Sequence, residues 1–163
     1  PAQIIESYLK WADSYQENQI TIVYDTMWGA TRRMAEDIAH GIGLQDSEVT
    51  VKLMNASKDD KNDIITEIFR SKTVLMGSST INRGVLHSIA GLLEMIKGLK
   101  FSGKSAAPFG SYGWGGDCVG NLGKALEGAG FKLLNDGIKT LWMPDDAAFS
   151  ECVEYGKSIA QGK

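Results

Sequence analysis

Three short stretches of this 163-residue chain carry hydroxyls, glycines and aromatics at spacings that could hold a ligand. The first, Asp25–Arg33, reads DTMWGATRR and sets Thr26 and Thr31 on either side of Gly29. Between a strand and a helix, the amides of residues 27–31 would point inward at a helix N-terminus, a ready site for phosphate. The loop holds no lysine. That suits a monoester phosphate bound by neutral donors better than a triphosphate with magnesium. The second stretch, Ser78–His87 (SSTINRGVLH), offers hydroxyl, amide and backbone groups to a polar ring edge. The third, Gly110–Cys118 (GSYGWGGDC), sets two aromatics among four glycines. An exposed Tyr112 and Trp114 there cost solvation free energy unless a planar ligand covers them. Each stretch alone has an ordinary explanation: Thr31 as a helix N-cap, Ser and Asn as turn residues, Trp114 folded back on the core.

Everything depends on which elements position these loops. Apolar spacing predicts a helix over residues 4–15 and the run QITIVY a strand at Gln19–Tyr24. A helix over Thr31–Ile42, capped by Gly43, is followed by a strand EVTVKLM and a helix NDIITEIF. TVLMGS (Thr73–Ser78) reads as a third strand, His87–Leu99 as a helix, and KSAAPFGSY (Lys104–Tyr112) as a fourth strand. A helix over Val119–Ala129, a fifth strand GIKTLWM (Gly137–Met143) and a closing helix started by Pro144, Asp145 and Asp146 complete the chain. Strict alternation of strand and helix predicts an α/β fold, a parallel sheet with helices on both faces. In such a sheet ligands lie beyond the carboxyl ends of the strands, where the loops after strands one, three and four converge.

One further motif fails on context. Gly98–Ser105 (GLKFSGKS) matches the G-x-x-x-x-G-K-[ST] pattern of nucleotide-binding loops. It follows a helix and enters a strand, the reverse of what a phosphate cradle needs. Gly98 is expected to cap the helix, Gly103 to serve a turn, and Lys104 and Ser105 to begin a strand.

Composition sets limits. Apolar residues make up 43 %, charged residues 23 %, and the net charge is −3, which leaves no basic footprint for nucleic acid. No run approaches the ~18–20 apolar residues of a membrane helix, and no secretory signal is evident. Cys118 and Cys152 form no C-x-x-C pair and are expected to be free thiols in a reducing cytoplasm. Pro1 at the start is consistent with a trimmed methionine or with a piece of a longer polypeptide.

A phosphate cradle, a polar ring-edge loop and an aromatic plate on one sheet edge together suggest FMN. Here the residues resemble a known family. The T-x-x-x-x-T loop Thr26–Thr31 before a helix, with GSYGWG after strand four, is similar to the flavodoxins, notably the short clostridial type. YDTMWGATRRMAEDIAHGI, GSSTINRGVLHSIAGLLEMIKGLK, GSYGWGG and GFKLLNDGIKTLWMPDDAAFSECVEYGKSIA resemble more closely the carboxyl-terminal domain of flavodiiron proteins, which reduce oxygen or nitric oxide. IIESYLKWAD resembles that family's linker helix, dividing the chain into a linker (1–18) and an FMN-binding domain (19–163). The flavodoxin-like fold that the chain resembles implies five strands in the order 2-1-3-4-5.

The resemblance implies that Thr26, Met27, Gly29, Ala30 and Thr31 bind the FMN phosphate, with Trp28 beside the ring or the ribityl chain. It implies that Ser79, Thr80, Ile81, Asn82, Arg83 and Gly84 line the flavin edge. Ser111, Tyr112, Gly113, Gly115 and Gly116 would hold the ring, with Trp114 stacked on it. Family members carry their iron ligands in an amino-terminal β-lactamase-like domain with an H-x-E-x-D-H motif. This chain has only His40 and His87 and no such motif. It is therefore expected to be the flavin half alone, with no catalytic or metal-ligating residue of its own. A rubredoxin-like donor, the diiron domain of the same or a partner subunit, and a head-to-tail homodimer of the parent are implied in the same way. Arg83, in place of the acidic surround of ordinary flavodoxins, is expected to favour negative charge on the ring. Three alternatives stay open at this point: a stand-alone flavodoxin, a flavodoxin-like NAD(P)H-dependent quinone reductase, and a cofactor-free signalling domain, for which Asp25 alone supplies no acidic cluster.

Overall fold

A computed structural model describes residues 2–12 and 14–163; Pro1, and Asp13 within the expected 4–15 helix, lie outside the described residues. The chain runs α1 (Ala2–Ala12), β1 (Glu17–Tyr24), α2 (Ala30–Gln45), β2 (Thr50–Asn55), α3 (Lys61–Arg70) and β3 (Ser71–Ser79). It continues with α4 (His87–Leu99), β4 (Ser105–Tyr112), α5 (Asp117–Gly128), β5 (Lys132–Leu133), β6 (Ile138–Leu141) and α6 (Asp146–Ala160). The strands pair in parallel in the order β2-β1-β3-β4-β5, with β6 also on β4. The α/β class and the 2-1-3-4-5 order therefore hold, except that the fifth position is shared by two strands.

Pro108 gives that break a physical cause. On β4, Ala106 accepts from the Leu134 amide, so residues of its parity face the fifth position. Pro108 shares the parity but has no N–H to donate. Pairing stops after Ala106 and resumes at Phe109↔Ile138. The stranded Pro108 carbonyl accepts from the Tyr155 hydroxyl at 3.1 Å instead.

Two apolar layers flank the sheet. Ile20, Ile22, Phe109, Met34, Ile38 and Cys152 form one with α2 and α6. Val23, Val74, Met76, Ile64, Ile89 and Leu122 form the other with α3, α4 and α5. α2 and α6 cross through glycines: a Cβ on Gly41 would lie 2.1 Å from the Val153 carbonyl oxygen, and one on Gly156 2.2 Å from that of Ile38. α1 contributes no buried residue. No described helix is long and apolar enough to cross a membrane. Cys118 and Cys152 are buried free thiols, as expected.

Three helix ends differ from expectation. α2 runs through Gly43 to Gln45 and is capped by Asp46, because the stripe of Ile38 and Ile42 packs the whole helix on the sheet. At the end of α4, whose span His87–Leu99 is the expected one, Lys100 rather than Gly98 takes the left-handed cap at φ 50°. α1 is described over Ala2–Ala12, and Ser14 and Tyr15, expected in the helix, lie outside it. Gly103, at φ 75°, does serve a turn.

The lysine of the GLKFSGKS pattern is buried at the amino edge of the sheet. Lys104 Nζ donates to the carbonyls of Tyr15, Phe69 and Ser71 at 2.8, 2.6 and 2.7 Å. It ties the segment entering β1 to the α3–β3 junction. Burial pulls its pKa down to about 8, and the three carbonyls favour the charged form.

Lys104→Met leaves three buried carbonyls without a donor, and urea unfolding is expected to show a loss of about 2–4 kcal/mol. Cys152 gives a pH signature. Burial pushes its thiol up to about 12 from 9.0, so above pH 9 the unfolded chain releases a proton that the folded one keeps. Stability therefore falls as pH rises through that window, and Cys152→Ala should make the fall of the thermal midpoint between pH 8 and pH 10 shallower.

Candidate functional site

The register of β1, β3 and β4 brings their carboxyl ends into line: Tyr24 pairs with Gly77, and Ser79 with Ser111. Three buried hydroxyls meet there. Thr31 Oγ1 lies 3.0 Å from Ser79 Oγ and 2.8 Å from Ser111 Oγ, and the two serines lie 3.2 Å apart. Thr31 is not the N-cap. Gly29 holds that position at φ 91°, a conformation that glycine adopts at little cost, and Thr31 sits inside the first turn of α2. Thr26 Oγ1 accepts from the Gly29 amide at 3.0 Å, and the Met27 amide reaches Ser79 Oγ at 3.4 Å. Among the described residues, the amides of Trp28, Ala30, Thr31 and Arg32 find no protein acceptor, as at any helix start left open. Behind the loop, the buried Asp25 carboxylate accepts from the Thr26 amide at 2.8 Å, from Ser57 at 3.0 Å and from Ser88.

The second loop folds into a two-residue turn closed by reciprocal bonds between Ile81 and Gly84. Its central residues, Asn82 and Arg83, have φ 49° and 60°, the paired left-handed conformation of a type I′ turn. Asn tolerates it; Arg does so at a cost in strain. Asn121 Nδ2 braces the turn by donating to the Arg83 carbonyl at 2.7 Å. The Arg83 guanidinium, 86 % exposed, reaches Asp117 Oδ1 at 3.4 Å. Thr80 Oγ1 is buried with no hydrogen-bond partner among the described residues. A buried orphan hydroxyl costs free energy until something bonds to it.

The third loop exposes its indole fully: Trp114 is 93 % accessible, and Trp28 on the first loop 86 %. Neither folds back on the core. The glycines around Trp114 serve their own chain. A Cβ on Gly113 would lie 3.0 Å from the Trp142 ring, one on Gly115 2.6 Å from Asp117, and one on Gly116 2.8 Å from the Lys139 stem.

A cavity of about 900 Å³ opens between these loops. Of the residues expected at a site, Met27, Trp28, Ala30, Ser79, Thr80, Asn82, Arg83, Ser111, Tyr112, Gly113, Trp114 and Gly115 line it. Thr26, Gly29, Thr31, Ile81, Gly84 and Gly116 do not line it. Asp117, Trp142 and Met143 line it too and were not anticipated. Their signal was present: LWMP follows the last strand, so its apolar side chains emerge at the same carboxyl edge as the other three loops. No group of three or more His, Cys, Asp or Glu placed to hold a metal occurs among the described residues.

The donor set fits a phosphomonoester joined to a planar, partly polar ring. Hydroxyls and open amides gather at the floor, an orphan hydroxyl lies along one side, and two solvent-exposed indoles stand at the lip.

The family model for flavodoxin matches residues 22–156. The chain is 52 % identical over 161 residues to the anaerobic nitric oxide reductase flavorubredoxin of Vibrio vulnificus, covering 99 % of this chain and 32 % of that protein. It spans about a third of the length of the curated relatives it matches. Among solved structures it resembles the rubredoxin oxygen:oxidoreductase of Desulfovibrio gigas, with a TM-score of 0.91 and 32 % identity, over 98 % of this chain and 39 % of that one. It also resembles a flavodoxin from the domain Archaea, with a TM-score of 0.77 and 25 % identity, over 88 % and 96 % of the two chains.

Thr31→Val keeps the shape of the floor but removes the hydroxyl that Ser79 and Ser111 share. Chemical denaturation of the ligand-free protein should show a loss of about 1–3 kcal/mol.

Proposed function

The chain belongs to the flavodoxin family, and from that premise we propose an FMN-binding domain that relays electrons from a rubredoxin-like donor to a diiron oxygen- or nitric oxide-reducing centre outside its own residues. The observation that carries this reading is the pairing of a phosphate-ready floor with two indoles, Trp28 and Trp114, left in solvent at the lip of one cavity. Two large apolar rings exposed at one cavity mouth mark a contact site, and their planar faces suit a planar ligand.

FMN bound here would supply the one- and two-electron chemistry. The chain's residues bind and orient it. Ser79 and Ser111, braced from behind by Thr31, would present hydroxyls, and the open amides of Trp28, Ala30, Thr31 and Arg32 would present N–H groups, to the phosphate. Thr80 offers its unpartnered hydroxyl to a ring heteroatom. Trp28 and Trp114 exclude water from the ring faces. Arg83 sets a positive charge at the lip, part of which Asp117 offsets.

Relatives of which the chain covers only 32 % and 39 % supply the wider setting: the names flavorubredoxin and rubredoxin oxygen:oxidoreductase point to the donor and to the reduced substrates. A cytoplasmic location and a homodimeric parent, in which the flavin of one subunit faces the iron site of the other, complete the proposal.

Adding FMN to the ligand-free domain should produce a bound species absorbing in the blue. Reduced rubredoxin should bleach that band, while the domain alone should not reduce nitric oxide; bleaching by NADPH alone would favour a reductase instead. Trp114→Ala should weaken FMN at least tenfold by fluorescence titration. Arg83→Ala should lower the flavin midpoint potential, by a small margin because the guanidinium is solvent-screened; an unchanged potentiometric titration would remove its electrostatic role.

A further inference from the structure

Trp142 is the one large aromatic residue with left-handed backbone among the described residues, at φ 56°. The other non-glycine residues in that region are Ser14, Asn82, Arg83 and Lys100, polar or flexible side chains. A bulky residue there is strained, and such strain persists only where surrounding structure enforces it. The enforcement is visible. The Trp142 amide donates to the Tyr112 carbonyl at 2.8 Å, pinning the end of β6 to the end of β4. Met143, next in sequence, precedes Pro144 and is thereby biased to extended backbone. The left-handed turn at Trp142 directs its indole onto Gly113. A Cβ on Gly113 would sit 3.0 Å from both Cη2 and Cζ3 of that ring, so the glycine is needed because the indole lies against it.

The consequence falls on Trp114, the residue directly after Gly113 and the most exposed large apolar side chain described. Its ring meets that of Trp142 edge to face, with centroids 6.2 Å apart and planes at 68°. Flanked by Gly113 and Gly115, Trp114 gets no side-chain support from its chain neighbours. Trp142 itself stays 60 % exposed and lines the same cavity.

We propose that Trp142 is a positioning residue, whose strained backbone holds its indole between Gly113 and Trp114 so that Trp114 stands ready to cover the flavin ring. The inference rests on the FMN reading of the cavity. It assigns the residue after β6 a part in ligand affinity, although neither the phosphate floor nor the ring-edge loop contains it. Strain and support are separable here, because glycine at this position relieves the backbone while removing the ring, and phenylalanine keeps an aromatic edge.

The test compares Trp142→Gly, Trp142→Phe and the unaltered domain by three measurements: FMN affinity by fluorescence titration, inorganic phosphate affinity by calorimetry, and the thermal midpoint without ligand. Trp142→Gly should weaken FMN about tenfold, the scale of one aromatic pair. Phosphate affinity should stay the same and the midpoint stay level or rise as strain is released. Trp142→Phe should recover most of the FMN affinity. Wild-type FMN affinity in Trp142→Gly overturns the proposal. So does a parallel loss of FMN affinity, phosphate affinity and thermal midpoint, which marks a merely structural role. Failure of the unaltered domain to bind FMN would sink the cofactor reading itself, an outcome distinct from either.

Discussion

Three buried hydroxyls carry the geometry of this molecule's ligand end. Thr31, Ser79 and Ser111 come from α2, β3 and β4, and each lies within hydrogen-bond reach of the other two. A change in register by one residue between β3 and β4 would turn Ser111 to the opposite side of the strand and break the triangle. The same register fixes where all four loops of the carboxyl edge emerge, so the cavity follows from strand pairing. The hydroxyls satisfy one another inside the protein without charge. An anion reaching the floor therefore meets donors already gathered, with no buried cation whose desolvation must be offset.

The opposite edge is held by the reverse strategy. Lys104 buries its ammonium among the carbonyls of Tyr15, Phe69 and Ser71, where the segment entering β1 meets the α3–β3 junction. Its place in a run that imitates a nucleotide-binding loop is instructive. Such a loop positions lysine beside phosphates because a helix starts there and its amides point outward. Here the lysine enters a strand beside the end of α3 at Arg70, and what lies open at a helix C-terminus and a strand entry is carbonyl oxygen. The same side chain, at the other end of the dipole, becomes a clamp on the backbone.

Alternation of apolar strands and amphipathic helices made the architecture legible, since the β-branched run QITIVY and the short apolar run TVLMGS read as strands and short connections leave few topologies. The three loops were legible for a related reason: hydroxyl, glycine and aromatic residues after strands have few structural uses in common. What escaped depends on partners distant in sequence. The split of the fifth strand comes from Pro108 meeting a neighbour more than twenty residues later, and the extension of α2 past Gly43 from packing on the sheet rather than from local propensity. The glycines of the third loop were expected to admit a ligand. Gly113 and Gly116 instead admit Trp142 and Lys139, side chains contributed by the far end of the chain. Trp142 and Met143 were missed because GIKTLWM reads as one strand, whereas β6 ends at Leu141 and the next residue turns.

That turn connects the two ideas of strain and function. Asn82, Arg83 and Trp142, three of the five left-handed non-glycine residues, surround the cavity. Each is held from rigid structure: Asn121 of α5 bonds the Arg83 carbonyl, and the Trp142 amide bonds the end of β4. A sheet and five packed helices thus keep the rim in a conformation it would not take alone. Preorganisation of this kind shifts conformational cost from binding to folding, so a planar ligand meets walls already in place. It also limits what can change. A residue that relaxed the rim would stabilise the empty domain and weaken the filled one, so the stability of the ligand-free protein is a poor guide to the quality of this site.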